Sequence, residues 1–241
     1  MLHDENEALV VDPGEAAPVL LALEAKGVTL TGILVTHHHA DHTGGIDVLR
    51  ERTGAWVVGP ARESIPKPFT PLQDGDHVDA LGLRFDVLDV PGHTAGHIAY
   101  YCDAVNSQPL LFCGDTLFSA GCGRLFEGTP EQMHASLDRL AALPDATQVC
   151  CTHEYTLSNL RFALAVDPDN SDLQAYAHHC QTLRDQALPT LPSRIDLERR
   201  INPFLRTTTT AIQQSLLRHD AAAVAQDGAF AALRRWKNDY R

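Results

Sequence analysis

Ile33-Leu34-Val35-Thr36-His37-His38-His39-Ala40-Asp41-His42 passes without a spacer from a buried-type aliphatic strand into five metal-binding side chains within six positions. Imidazoles and carboxylates that leave water must be hydrogen-bonded, paired or coordinated, so a fold that made no use of them would bear a large desolvation penalty here. A lone histidine reads most simply as a polar surface residue. The pattern His-x-His-x-Asp-His directly after a strand reads as half of a metal centre.

Working outward, Ala8 to Val11 is a short apolar strand that ends at Asp12-Pro13-Gly14, and Glu15 to Lys26 carries helical periodicity up to Gly27. Ile33 to Val35 and Ala55 to Val58 are further strands, with a helix over Gly45 to Arg52 between them. Leu83 to Val90 alternates like a half-buried strand, Ile98 to Cys102 and Leu110 to Cys113 follow it, and Gln148 to Cys151 is the last, after a helix over Glu131 to Leu143. From Glu154 onward the periodicity is helical: Tyr155 to Val166, Asp172 to Leu188, Thr209 to Leu217 and Ala229 to Trp236. The expectation is a mixed α/β domain over residues 1–153 and a helical domain over 154–241.

Three other groups repeat the strand-end placement. His93 follows the strand ending at Val90, Asp115 follows Leu110 to Cys113, and His153 follows Gln148 to Cys151. Side chains at strand ends of a layered fold converge on one rim, where α/β folds place their sites. Seven candidate ligands result: His37, His39, Asp41, His42, His93, Asp115 and His153. Seven exceed the four that one tetrahedral ion takes and suit two ions if a carboxylate bridges. Two cations sharing a water lower its pKa towards about 7, giving a nucleophile at neutral pH, with Asp41 and Asp115 acting catalytically through that metal-held water. His38, between two ligands, is expected in a solvent-facing or supporting role, and His97 as a structural hydrogen-bonding residue. Asp12 is placed to hold a ligand imidazole by its other N–H or simply to make an Asp-Pro turn.

Composition narrows the remaining classes. With 241 residues, 44% hydrophobic and 21% charged, the chain reads as globular. No apolar run is long enough for a bilayer span, the N-terminus is acidic, and the six cysteines show no scaffold spacing, so a cytoplasmic protein with reduced thiols is expected. The net charge of −12 disfavours nucleic-acid and anionic-membrane partners. That charge is uneven: residues 199–241 hold eight basic and three acidic side chains, a local +5. No Gly-x-Ser-x-Gly elbow offers a serine nucleophile.

The His-x-His-x-Asp-His run, Gly92-His93-Thr94, Gly114-Asp115-Thr116 and His153 resemble the metallo-β-lactamase superfamily. Phe118-Ser119-Ala120-Gly121-Cys122-Gly123-Arg124, Thr152-His153-Glu154-Tyr155-Thr156 and Asn202-Pro203-Phe204-Leu205 further resemble its hydroxyacylglutathione hydrolase (glyoxalase II) family, over nearly the whole chain. That resemblance implies an αββα sandwich followed by a helical domain. It implies one ion on His37, His39 and His93, another on Asp41, His42 and His153, and Asp115 bridging both; zinc is expected, with iron or manganese as alternatives. It also implies hydrolysis of S-(2-hydroxyacyl)glutathione, chiefly S-lactoylglutathione, to a 2-hydroxy acid such as D-lactate and glutathione, the second step of methylglyoxal detoxification, by a monomer.

By the same resemblance, glutathione is held by Arg124, Phe126, Tyr155, Arg234 and Lys237. Arg234 and Lys237 lie i and i+3 on one face of a helix, and Phe126, where a tyrosine is often found, lacks the hydroxyl for a hydrogen bond. Members of the family begin with a further strand ending in Asp-Asn-Tyr that this chain lacks; the expectation is a first sheet short of that strand or an upstream in-frame coding segment. Competing readings are a glutathione persulfide dioxygenase with a single iron, another metallo-β-lactamase-type hydrolase, or a non-catalytic metal-binding module.

Overall fold

The computed structural model describes residues 1–240, so that Arg241, the end of the expected helical domain, lies outside the described residues. The chain forms two compact units, residues 1–89 with 94–114 and residues 90–93 with 115 onward.

In the first unit β1 (Leu2–His3) pairs antiparallel with β2 (Glu7–Val11), and α1 (Ala16–Lys26) carries the chain to β3 (Thr29–Leu34), parallel to β2. After α2 (Ala40–Thr43) and α3 (Ile46–Thr53), β4 (Trp56–Pro60) and β5 (Thr70–Leu72) extend the parallel set to a five-stranded sheet in sequence order. Parallel neighbours need a crossover of a dozen or more residues, and the helices supply it while covering one face. Ala8, Val10, Leu30, Ile33, Val35 and Val57 on that face pack with Leu23 of α1 and Ile46 and Leu49 of α3 into one apolar cluster. The second sheet of this unit is an antiparallel meander of β6 (His77–Ala80), β7 (Leu83–Asp89), β8 (Ile98–Val105) and β9 (Gln108–Gly114). Two bonds tie the sheets at the strand end that matters: the fully buried Tyr100 hydroxyl donates to the Val35 carbonyl at 2.8 Å, and the Ile98 amide donates to the Thr36 carbonyl at 3.0 Å.

In the second unit β10 (Leu117–Phe118) and β11 (Gly121–Cys122) form a small hairpin, α4 (Pro130–Ala141) follows, and β12 (Gln148–Cys151) pairs antiparallel with β13 (Ser193–Arg194). The helices α5 (Thr156–Val166), α6 (Ser171–Asp185), α7 (Ile195–Ile201) and α8 (Thr210–Asp239) complete it, around Leu160, Ala163, Leu173, Cys180 and Ile201. The two C-terminal helices expected from periodicity lie on either side of the interruption at Asp220 and Gly228, where the α8 range leaves helical dihedrals. Periodicity does not reveal α7, because its seven residues make about two turns. Its Glu198 is fully buried, accepting from the Ser193 hydroxyl, the Ala120 amide at 2.9 Å and the Asn202 side chain at 3.0 Å. Burial raises that carboxyl's pKa, and its bonds pin the turn between β10 and β11.

Candidate metal and active site

In the first unit the loop after β3 delivers His37 and His39, and α2 delivers Asp41 and His42 one residue later. The His37 and His42 rings lie 4.0 Å apart between centroids, and both residues are fully buried. His39 stands edge-on to His37, its Nδ1 3.1 Å from His37 Nε2, and burial lowers its pKa towards the neutral form a metal ligand needs. The Asp41 carboxylate is 62% exposed, 3.8 Å from His42 Nε2.

Asp12 orders these rings. One oxygen accepts the Thr36 amide at 2.8 Å; the other accepts the Thr36 hydroxyl at 2.7 Å and the His42 Nδ1–H at 3.1 Å. Because the Thr36 hydroxyl proton goes to Asp12, its oxygen is left to accept from His37 Nδ1, 3.0 Å away. In their neutral forms both imidazoles therefore carry the proton on Nδ1 and the lone pair on Nε2, the tautomer that binds metal through Nε2. Asp12, His37 and His42 bring their potential ligand atoms within 4.8 Å of one another. Asp12 also holds φ = 50°, a left-handed conformation uncommon outside glycine, asparagine and aspartate. Of the two roles open to Asp12 from sequence, the structure takes the ring-holding one. His97 is fully buried and stacks on His37 with centroids 4.6 Å apart, a structural position; His38 instead places Nδ1 2.8 Å from Glu63.

In the second unit a single carboxylate stands between two imidazoles. Asp115 Oδ2 is 3.5 Å from His93 Nε2, and its Oδ1 is 3.5 Å from His153 Nε2. His93 gives its Nδ1–H to the Arg124 carbonyl at 2.9 Å, so in the neutral ring the Nε2 lone pair faces a carboxylate oxygen. A carboxylate flanked in this way by two imidazoles could share a cation with either of them. Gly123 makes this possible: a Cβ there would sit 1.9 Å from the Asp115 carbonyl oxygen, so only glycine lets the Gly-Cys-Gly strand pass so close to the carboxylate's own backbone.

The expected glutathione-binding residues lie in this second unit. Phe126 is 63% exposed and edge-on to His93 at 5.2 Å. Tyr155, half exposed, stacks on His153 at 5.0 Å. The Arg124 side chain is exposed while its carbonyl holds His93. Lys237 lies over the Phe162 ring and donates to the Ser158 carbonyl at 3.3 Å. Burial, helped by the neighbouring Arg234 charge, brings its pKa down to about 8. Arg234 is buried: its guanidinium donates to the Cys122 carbonyl at 3.0 Å and lies 5.1 Å over the Phe204 ring. Sequence spacing puts Arg234 and Lys237 on one helix face, but only the structure shows Arg234 turned inward onto the β11 strand beside Gly123.

Residues 154–240 match the model of the "Hydroxyacylglutathione hydrolase C-terminus" family, and residues 1–153 match that of the "Metallo-beta-lactamase superfamily". The chain is 62% identical to the hydroxyacylglutathione hydrolase of Albidiferax ferrireducens over 240 residues, covering 100% of this chain and 94% of that protein. Among solved structures it is similar to ETHE1 from Myxococcus xanthus, with TM-score 0.63 and 28% identity over 97% of this chain and 91% of that one. It is also similar to TTHA1623, crystallised in a di-iron-bound form, with TM-score 0.56 and 31% identity over 81% and 88% of the two chains.

Proposed function

Because this chain belongs to the hydroxyacylglutathione hydrolase family of the metallo-β-lactamase superfamily, we propose that it hydrolyses S-(2-hydroxyacyl)glutathione thioesters, S-lactoylglutathione foremost, to a 2-hydroxy acid and glutathione. The observation that carries the reading is the Asp115 carboxylate held between His93 and His153. In the proposal His37, His39 and His93 hold one divalent ion, Asp41, His42 and His153 a second, and Asp115 both. The donor set of imidazoles and carboxylates fits zinc and accepts iron or manganese. Bound metal supplies Lewis acidity and an acidified water at neutral pH, which a thioester with its good thiolate leaving group suits.

The chain's own residues do the rest. Asp12 keeps the His37 and His42 rings in the ligand tautomer. Lys237, charged below about pH 8, and the exposed Arg124 offer cations to the peptide carboxylates of glutathione. Tyr155 and Phe126, both against metal-site imidazoles, offer flat apolar walls, and Phe126 contributes no hydroxyl bond. Arg234 acts here by holding the Cys122 carbonyl next to Gly123 and by adding positive charge behind Lys237. The finer reading is a zinc enzyme, monomeric and cytoplasmic, with residues 1–153 catalytic and 154–241 recognising glutathione. Relatives 52–62% identical carry the hydrolase name, which favours hydrolysis over the single-iron dioxygenase.

Metal analysis of the purified chain beside a thioester hydrolysis assay tests the proposal. Two equivalents of metal and release of free thiol without oxygen uptake are expected; a single iron with oxygen consumption contradicts it.

A further inference from the structure

Glu63 lies outside every strand and helix, yet its carboxylate is 1% exposed and spans two separate segments. Oε2 accepts the His38 amide at 2.6 Å and faces His38 Nδ1 at 2.8 Å. Oε1 accepts the Thr94 hydroxyl and the Gly96 amide, the latter at 3.0 Å. One buried carboxylate thus grips the middle residue of His37-His38-His39 with one oxygen and, with the other, the segment that begins immediately after His93. A buried carboxylate needs its lone pairs filled to be stable, and these four contacts fill both oxygens.

From this grip we infer that Glu63 is a positioning residue for the hydrolase, a clamp that fixes the spacing between the His37–His39 loop and the Thr94–Gly96 segment. The inference rests on the proposed ligand set, in which His37, His39 and His93 share one ion. Glu63 is not one of the proposed ligands; both its oxygens already face protein donors. The clamp sets where the ligand-bearing backbone sits before metal arrives, and it works through His38 and Thr94, the chain neighbours of the three ligands. His38 has its function here, as the handle by which the loop is held. The backbone bonds to His38 and Gly96 restrain the main chain itself, so misplacing them shifts the ligand-bearing segments even when the ligand side chains remain intact.

Glu63→Gln tests the clamp, because the amide keeps the acceptor towards Thr94 and Gly96 but turns an NH2 group towards the His38 amide. The expected result is a metal affinity about 10- to 100-fold weaker, measured by competition with a chromophoric chelator, with kcat reduced and KM changed little. Thr94→Val removes one grip while leaving the carboxylate in place, and a loss of metal affinity of about threefold or more is expected from the missing hydrogen bond. Glu63→Gln with metal affinity and kcat within twofold of the parent overturns the proposal. Should Glu63→Gln fail to fold, Thr94→Val binding metal as the parent does overturns it alone. Because the metal titration needs no thioester turnover, a parent that binds metal without hydrolysing S-lactoylglutathione defeats the substrate reading and leaves the clamp to be decided by the titration; a parent that binds no metal defeats both.

Discussion

Asp115 and Asp12 answer to different parts of the same chemistry. Asp115→Ala takes away the carboxylate that two imidazoles face, so turnover is expected to vanish and metal content to fall below two equivalents per chain, read by metal analysis of the purified variant. Asp12→Asn is isosteric and tolerates the left-handed backbone, but it replaces an anionic acceptor on the His42 ring with an amide. Its expected effect is a metal affinity weaker by about 10- to 100-fold with the fold kept, as measured by chelator competition and thermal melting. Lys237 gives a pH signature. Burial depresses its pKa to about 8, so the ammonium form is full below that pH and is lost as pH rises through it. KM for a glutathione thioester is expected to be flat below about pH 8 and to climb above it, whereas Lys237→Arg, charged throughout, removes the climb. A KM profile for the parent that stays flat up to about pH 9 contradicts the role given to Lys237.

At the scale of elements, α4 is the buttress behind His93. Its Thr129 and Gln132 form a reciprocal capping box, with Pro130 at the first turn, and its Ser136 hydroxyl donates to the Pro91 carbonyl at 2.7 Å. Thr129→Ala removes the oxygen that accepts the Gln132 amide and is expected to lower stability by about 1 kcal/mol, a drop of about 2–4 °C in Tm, with little change in kcat. Gly92 is the point of contact. At φ = 149° a Cβ would meet the Met133 backbone at 2.8 Å, so Gly92→Ala displaces either α4 or the turn that carries His93. Loss of metal binding together with a fall in Tm is expected there, in contrast to Thr129→Ala; a Gly92→Ala protein that binds two equivalents of metal with parental affinity refutes the buttress. The strands, α1 and α4 are legible in the sequence because their periodicity and stop signals are local: Gly27 ends α1 with φ = 68°, and Thr129-Pro130 opens α4. β1, β5, β6, β10, β11, β13 and α7 are not, since segments of two to seven residues carry too little periodicity to stand above their surroundings.

For the molecule as a whole, the proposed ligands come from segments far apart in sequence, so metal binding and folding would be linked. Ions that bind the native chain and not the unfolded one raise its stability in proportion to the logarithm of their concentration over Kd. Treatment with a strong chelator is therefore expected to abolish thioester hydrolysis and to lower Tm, and re-addition of zinc to restore both. A melting temperature unmoved by chelation, with activity lost, would place the metal outside the folding equilibrium. The acidic balance of residues 1–198, a local −17 against +5 beyond, adds a further expectation. Weak affinity for a thioester that carries two carboxylates at high salt, and tighter binding at low salt, follows if the basic C-terminal segment draws the substrate in.

The sequence by itself determined which residue types the proposed centre draws on and where along the chain they stand, because ligand chemistry is written in side-chain identity and a strand end is a local signal: His37, His39, Asp41, His42, His93, Asp115 and His153 each follow an apolar strand. Tertiary structure alone decided how those side chains are held. Asp12 reaches Thr36 and His42 across 24 and 30 residues, Glu63 reaches His38 and Thr94 across 25 and 31, and Arg234 turns onto Cys122 across 112. No periodicity or spacing encodes such a partner, since hydrogen bonds between distant segments depend on which backbones the fold packs together, and a lone Glu63 in a loop reads as surface until its carboxylate is seen buried.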